Sequence, residues 1–328
     1  MEVLQRIYGG IPPFMHPFLN APEMTRLRGV GMNCGCEYTS FPLFKGLPPY
    51  SRYRHSLGAA LIVWRFTGDR RQSLAALFHD IATPVFAHVV DFLRGDHLRQ
   101  EATEDGTEEI LRKSAVITAA LGDLRLTVDD VKDYHLFPVA DNPSPRLSAD
   151  RLEYTLGNLT GYGFASYEKA RAFYEDLTVA ENECEQPEIA FRHRDTAKAF
   201  AFGALRCSKV YVSPEDRYAM QRLSEILGAA LKAGVLTEED LYRTEADVIR
   251  LLKADPAEGA GWERFTKLSE MVCDDSAPAK ERRVVPAKKR CIDPLVEGMG
   301  RVSALDDAFK REMDLFLAEP QDKWLWAR

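Results

Sequence analysis

The segments Arg54-His55-Ser56 and Phe78-His79-Asp80 decide the fold of this chain. Between them lie two helical patterns, roughly residues 56–67 and 71–79, separated by Gly68-Asp69. Each pattern predicts a helix about 17 Å long at 1.5 Å per residue. Helices joined by so short a connection are antiparallel neighbours. The start of the first therefore lies beside the end of the second, and we expect the two histidines to meet.

The residue after the second histidine adds a carboxylate. On a continuous helix, His79 and Asp80 would point about 100° apart. Pro84 disfavours helical geometry at Thr83, so we expect the helix to break there and both side chains to turn toward one spot. Two imidazoles and a carboxylate converging at a helix break are typical of a metal site.

A new helix is predicted after the break, with Thr83 as its N-cap and Pro84 in its first position. His88 would lie on this helix, one turn beyond the break. An isolated histidine at such a place is more often a satisfied core or surface residue. Its closeness to Asp80 nevertheless makes His88 a candidate for the site.

A fourth candidate ligand comes from a helix predicted to begin near Ser148. Leu152, Leu156 and Leu159 have the spacing of a core face, whereas Asp150 lies on a different face. By itself Asp150 would be a first-turn aspartate stabilised by the helix dipole. It also makes chemical sense as a ligand of the site that begins at His55.

A mixed set of nitrogen and oxygen ligands suits Mn²⁺, Fe²⁺, Co²⁺, Ni²⁺ or Zn²⁺ better than Ca²⁺ or an all-oxygen Mg²⁺ site. Four protein ligands leave open positions in an octahedral shell for water and a phosphate oxygen. The metal can then lower the pKa of the water and neutralise charge developing on phosphorus. The ligand set leaves open which metal binds and whether one or two ions are held.

The composition is that of an ordinary soluble globular protein: 328 residues, 45% apolar and 28% charged. The net charge of −7 argues against a general nucleic-acid binder, although a local basic pocket for a phosphorylated small molecule remains open. No run approaches the ~20 apolar residues of a membrane span, and the N-terminus lacks a signal peptide's apolar centre. Six cysteines without a disulfide framework favour a reducing, cytoplasmic setting. A homo-oligomer remains open.

The rest of the chain predicts an all-α fold with a helical C-terminal extension. We expect a catalytic core over residues 1–180, including the N-terminal segment, and a helical region over residues 181–328. A minor β ribbon is predicted from Arg282–Val285 and Lys288–Ile292, and its basic cluster more plausibly solvates an exposed segment than binds a ligand. Further helical patterns cover residues 107–121, residues 195–233 with a break at Ser213, and a tail helix at residues 303–318.

At these residues the chain resembles the HD-domain metal-dependent phosphohydrolases, and within them the branch of the deoxynucleoside-triphosphate triphosphohydrolases. Ser51-Arg-Tyr-Arg-His55-Ser-Leu-Gly58 is similar to that branch's first motif, and Leu77-Phe-His79-Asp80-Ile-Ala82 to its second. Pro84-Val-Phe-Ala-His88 resembles its Pro-x-Phe-Ser-His segment. Asp150-Arg-Leu-Glu-Tyr154 resembles its later Asp-Lys/Arg-x-x-Tyr helix. Weaker likeness extends to Arg26-Leu-Arg28, Val210-Tyr211 and Arg290-Cys-Ile-Asp-Pro294.

The resemblance implies an HD-type helical core and a metal-dependent phosphohydrolase that acts on a nucleotide or related phosphate ester by attack of metal-bound water. The metal ligands that it implies are His55, His79, Asp80 and Asp150. Asp80 would orient or deprotonate the attacking water. The residues implied to contact substrate phosphate or sugar are Arg52, Arg151 and Tyr154.

The chain departs from the branch at Thr83, where the triphosphohydrolases have a histidine. A second active-site histidine of the branch has no counterpart near residues 103–106. His88 and His97 are the candidates to replace them as a general acid. The alternative function is a non-catalytic nucleotide-binding regulator that retains the metal site.

Overall fold

The structure, a computed structural model, describes residues 7–95, 106–272 and 282–328. The candidate His97 lies outside these ranges. The described residues form fifteen α-helices, six short 3-10 helices and six short strands. The predicted all-α fold with a minor β component is confirmed. No helix within these ranges is long and apolar enough to cross a membrane.

The helices and strands follow one another along the chain with short connections. The α-helices are His16–Leu19, Pro22–Arg26, Arg52–Thr67, Arg70–Phe78, Val89–Arg94, Thr107–Lys113, Ala115–Asp123, Ala149–Gly161, Tyr167–Glu175, Arg194–Val210, Pro214–Lys232, Glu245–Ala254, Pro256–Thr266, Val302–Leu305 and Asp307–Ala318. The 3-10 helices are Pro13–Met15, Leu27–Gly29, Cys36–Tyr38, Val128–Asp130, Tyr134–Leu136 and Glu238–Tyr242. The strands are Leu177–Glu181, Pro187–Phe191, Met271–Val272, Leu295–Val296, Gly300–Arg301 and Trp326–Ala327.

The two histidine helices pack against each other as predicted. The His55 helix (Arg52–Thr67) is longer than its pattern suggested because Ser51 caps it, accepting a hydrogen bond from a backbone N–H of the first turn. It ends where Gly68 adopts a left-handed φ of 61°. Asp69 then caps the His79 helix (Arg70–Phe78).

The segment after Asp80 differs from the prediction. Turns replace the expected helix at Pro84, and the next helix, Val89–Arg94, begins only after His88. Phe86 and Ala87 adopt left-handed φ values of 57° and 47°, and such a conformation cannot continue a right-handed helix. His88 therefore lies in a turn at the start of a helix and not one turn inside it.

The β component is confirmed, but the position predicted for the ribbon is wrong. Residues 282–292 are extended and make only an isolated bridge, from Arg283 to Leu325. A hairpin of Leu177–Glu181 and Pro187–Phe191 instead forms a four-stranded sheet with the strands at 295–296 and 300–301. The backbone of the predicted ribbon is partly used elsewhere, since the Val285 carbonyl accepts from the Arg217 side chain at 2.6 Å.

Two predicted helices are each divided in two. Ser114 separates Thr107–Lys113 from Ala115–Asp123 and caps the latter. In the same way Asp306 divides the tail segment, and its side chain caps the tail helix (Asp307–Ala318). Both residues are short polar side chains that compete with the helix backbone for hydrogen bonds.

Two hydrophobic clusters form the core. The first surrounds the histidine helices and the Asp150 helix (Ala149–Gly161), and the second surrounds the helix Pro214–Lys232. Both clusters draw residues from the N-terminal and the C-terminal parts of the chain. The boundary near residue 180 stays a prediction.

Candidate metal centre

His55 and His79 meet, as their spacing predicts. Their Nε2 atoms are 3.2 Å apart, and both rings are buried. The antiparallel pair brings the first turn of one helix to the last turn of the other. The meeting is therefore a direct result of helix length and of the turn at Gly68-Asp69.

The outer nitrogens of the two rings define which atoms face inward. His79 Nδ1 lies 2.7 Å from the Ala76 carbonyl oxygen, which can only accept, so this nitrogen carries a proton. His55 Nδ1 lies 2.6 Å from the Glu153 carboxylate, which also accepts. Each Nε2 is thereby left with its lone pair directed at the other.

Two carboxylates complete the centre. Asp150 Oδ1 is 2.9 Å from His55 Nε2 and 3.6 Å from His79 Nε2. Asp80 Oδ2 is 3.8 Å and 3.5 Å from the same two atoms. The donor atoms of His55, His79 and Asp80 all lie within 4.8 Å of one another. Four converging acceptors repel one another unless a cation lies among them, so this donor set fits a divalent metal ion.

Protons take the place of the cation in the electrostatics of these side chains. Burial lowers the pKa of His55, but hydrogen bonds to Asp150 and Glu153 outweigh it and raise the pKa to about 10. The pKa of His79 is raised too, as Asp80 and Asp150 outweigh the effect of burial. Both aspartates have a pKa well below the usual range although burial opposes this. A metal ion would replace protons on the inward-facing nitrogens.

Asp80 is held by two neighbours. Arg52 Nη1 lies 3.1 Å from both carboxylate oxygens, and Thr83 Oγ1 donates to Asp80 Oδ1 at 2.7 Å. The fully buried Thr83 thus orients a candidate ligand, whereas the sequence predicted that it would cap a helix. Arg52 is buried and lines the cavity described below, and its contact with Asp80 lowers the pKa of that carboxyl against the effect of burial.

The backbone after Asp80 is fixed from a distance. Arg26 Nη2 donates to the carbonyl oxygens of Ile81 at 3.0 Å and Thr83 at 2.7 Å. The only sequence evidence for Arg26 was the weak family likeness at Arg26-Leu-Arg28. Its guanidinium holds the turn that carries Asp80, a role that sequence reasoning missed.

Glu153 is a second residue that the sequence analysis missed. It is fully buried, contacts His55 Nδ1 and also accepts from the Tyr50 hydroxyl. A Cβ on Gly58, one turn after His55, would lie 2.5 Å from the Glu153 side chain. The pairing of His55-x-x-Gly58 with Asp150-x-x-Glu153 was visible in the sequence and could have indicated this contact.

A cavity of about 510 Å³ opens beside the metal centre. Arg52, His88, Arg151 and Tyr154, the predicted site residues other than the metal ligands, all line it. Arg151 is held by loop residues: its Nη2 donates to Asn142 Oδ1 at 2.6 Å and its Nη1 lies 3.2 Å from Asp141 Oδ1.

His88 is also held within the cavity wall. Its Nδ1 lies 2.8 Å from Asp91 Oδ2. Burial lowers the pKa of His88 despite that hydrogen bond, and Arg290 and Arg52 lower it further. His88 is therefore neutral near pH 7, and its acid form becomes abundant only at lower pH.

No family model matches the chain. The chain is 26% identical over 266 residues to the uncharacterized protein YdhJ of Bacillus subtilis, which covers 79% of this chain and 77% of that protein. It is 25% identical over 300 residues to the metal-dependent phosphohydrolase cns2 of Cordyceps militaris, covering 86% of this chain and 80% of that protein.

Two solved structures share the fold over nearly the whole chain. A phosphohydrolase from Bacteroides thetaiotaomicron superposes with a TM-score of 0.61 at 13% identity, covering 98% of this chain and 97% of that one. A hypothetical protein from Aquifex aeolicus superposes with a TM-score of 0.61 at 16% identity, covering 98% and 94%. At these identities the structures establish the fold alone.

We expect purified protein to contain about one equivalent of a divalent transition metal per chain, and Asp80→Ala to lose it, because one of four converging ligands is removed. Elemental analysis after gel filtration measures this. Asp129→Ala, which removes an exposed aspartate paired with Arg112 and Lys132, is the control and should keep its metal. Equal metal content in Asp80→Ala and wild type would contradict the site.

Metal affinity should fall as the pH is lowered from 8 to 6. Below a raised pKa the imidazole holds an extra proton, which must leave when the metal binds. Each proton released strengthens binding about tenfold per pH unit. Calorimetry in two buffers of different ionisation enthalpy counts the released protons. Affinity that does not change with pH would show that the metal binds elsewhere.

Gly58→Ala should destabilise the protein by about 1–3 kcal/mol, because the new methyl group meets the Glu153 side chain in a packed core. Gly122→Ala is the matched control, since the Cβ of this helical glycine would meet nothing within 4 Å. Denaturant unfolding of both variants gives the comparison. Equal stability would mean that Glu153 can move aside freely.

Proposed function

We propose that this protein is a metal-dependent phosphohydrolase that acts on a nucleotide or a related phosphate ester. The observation that carries the proposal is the convergence of two neutral imidazole nitrogens and two carboxylates at one end of a cavity lined by arginines and tyrosines. Similarity to a protein named as a metal-dependent phosphohydrolase supports the hydrolase class. The nucleotide substrate belongs to the proposal.

In this proposal the metal is held by His55, His79, Asp80 and Asp150. A divalent cation bound there lowers the pKa of a coordinated water and neutralises charge on the phosphate. Asp80 remains a carboxylate throughout, because Arg52 keeps its pKa low against the effect of burial. A group with so low a pKa is a weak base, so its role is to accept a hydrogen bond and orient the attacking water.

Arg52, Arg151 and Tyr154 are proposed to contact the phosphate or the sugar. Both guanidiniums line the cavity while one part of each is fixed by an aspartate, Asp80 and Asp141 respectively. A guanidinium fixed in this way is preorganised to bind a phosphate with its remaining N–H groups.

The size and lining of the cavity suit a nucleotide. Its volume lies within the usual range for small-molecule sites. Tyr154 and Tyr211 contact each other at a centroid distance of 6.1 Å, and Asn158 donates to the Tyr211 hydroxyl at 2.7 Å. Aromatic faces and fixed amide groups are what a sugar and a base require.

The direct test is phosphate release from a panel of nucleoside mono-, di- and triphosphates with Mn²⁺. We expect release from at least one of them, lost in Asp80→Ala and in protein stripped of metal. Tight binding of a nucleotide with no phosphate release from any member of the panel would contradict the hydrolase and support the regulator.

If His88 is the general acid, the rate should rise as the pH falls below about 6.5 toward its lowered pKa, because only the protonated ring can donate. His88→Gln should lose this dependence and about 10²–10⁴-fold in kcat. The control is His193→Gln, which removes an exposed histidine bonded to Asp176 and should leave the pH profile unchanged. Identical profiles for His88→Gln and wild type would assign His88 to packing.

A further inference from the structure

The extended residues 284–291, here called the basic strap, expose their lysine and arginine side chains in alternate directions. Lys289 points to the end of the tail helix, where its Nζ donates to the carbonyl oxygens of Phe316 at 2.6 Å and Leu317 at 2.9 Å. Its two neighbours, Lys288 and Arg290, line the cavity of the metal centre. This is the alternation of an extended chain, in which successive side chains point to opposite sides.

Both ends of the basic strap are fixed to the body of the protein. The Ala287 N–H donates to Gln321 Oε1 at 2.6 Å, and Val285 is buried. At the other end, the Ser144 hydroxyl donates to the Cys291 carbonyl at 3.3 Å, next to the loop that leads into the Asp150 helix. These anchors set the direction of the inward-facing side chains.

The charge of Arg290 acts on three walls of the cavity. Its guanidinium interacts electrostatically with Tyr154 on the Asp150 helix, with His88 after the HD turn and with Asp216 on the helix Pro214–Lys232. Lys288 is more exposed and stands at the rim, whereas Arg290 is half-buried. The expectation that this cluster merely solvates an exposed segment therefore does not describe Arg290.

The other arginines of the cavity wall have a different task. Arg52 contacts the metal ligand Asp80, and Arg151 contacts Asp141 and Asn142 beside Asp150. Both are thus placed next to the metal ligands. Lys288 and Arg290 come from a separate segment of the chain, and their Cα atoms are separated by about 7 Å along an extended backbone.

We propose that Lys288 and Arg290 form a second anion-binding subsite, which receives a further phosphoryl group of a substrate whose reacting phosphate lies at the metal centre. The inference rests on the proposed function and narrows its substrate class. The preferred substrates carry at least two phosphates, as in nucleoside diphosphates, triphosphates or bisphosphates. One cavity joins both subsites, so the second anion belongs to the substrate and is not a separate effector.

Isothermal calorimetry with inorganic pyrophosphate and orthophosphate tests the subsite on the full-length, Mn²⁺-loaded protein, with metal content measured after each titration. We expect Arg290→Gln and Lys288→Gln each to weaken pyrophosphate binding by about tenfold or more, as a charge-assisted contact is lost. Orthophosphate, which needs only the metal centre, should change by less than about threefold, within the effect of screened charge.

Lys289→Gln is the matched control, since it removes the same charge one residue away from a side chain that faces the tail helix. It should keep wild-type pyrophosphate affinity while lowering the melting temperature. Arg290→Lys guards against a folding defect, because it retains the charge and should retain most of the affinity. Unchanged pyrophosphate affinity in both Arg290→Gln and Lys288→Gln would overturn the proposal.

Two further outcomes separate this inference from its premise. Turnover of single-phosphate esters that is unaffected by Arg290→Gln, together with unchanged pyrophosphate binding, would keep the hydrolase and remove the subsite. Binding of orthophosphate to Asp80→Ala that depends on Arg290 would identify a site for a free anion and overturn the assignment to substrate. Loss of pyrophosphate affinity in Arg290→Gln without turnover of any nucleotide would support the subsite and contradict the hydrolase.

Discussion

The site depends on one constraint: two histidines whose outer nitrogens are both committed as donors. The Ala76 carbonyl fixes the His79 proton, and the Glu153 carboxylate fixes that of His55. Their inner nitrogens then have no choice but to present lone pairs to a shared point, where two carboxylates also converge. Without a positive charge at that point the arrangement would be repulsive, so the fold itself creates the demand for a cation.

Much of this could be predicted from local rules. The short connection at Gly68-Asp69 fixed the antiparallel packing, and Ser148 correctly indicated the start of the Asp150 helix, where its hydroxyl accepts from a backbone N–H. These features depend on residues within one or two turns of each other. Helix length and capping therefore sufficed to bring His55 and His79 together.

The errors arose where distant segments decide the local conformation. Pro84 is a good first residue of a helix, but Val85 donates its N–H to the Leu241 carbonyl at 2.8 Å, and the following residues turn in a left-handed conformation. The basic strap likewise looked like a ribbon until its partners were known. Neither Leu241 nor the end of the tail helix is adjacent in sequence to the segment that it shapes, so no periodicity could reveal the contact.

The contact of Arg26 with the carbonyl oxygens of Ile81 and Thr83 has a thermodynamic consequence. The segment around Pro22–Arg26 docks onto the same turn that orients Asp80. Whatever free energy this docking contributes to the geometry of the metal centre, bound metal must return to the docking, because coupling between two equilibria is reciprocal. Metal occupancy should thus slow proteolysis of the N-terminal segment, although no metal ligand lies within it.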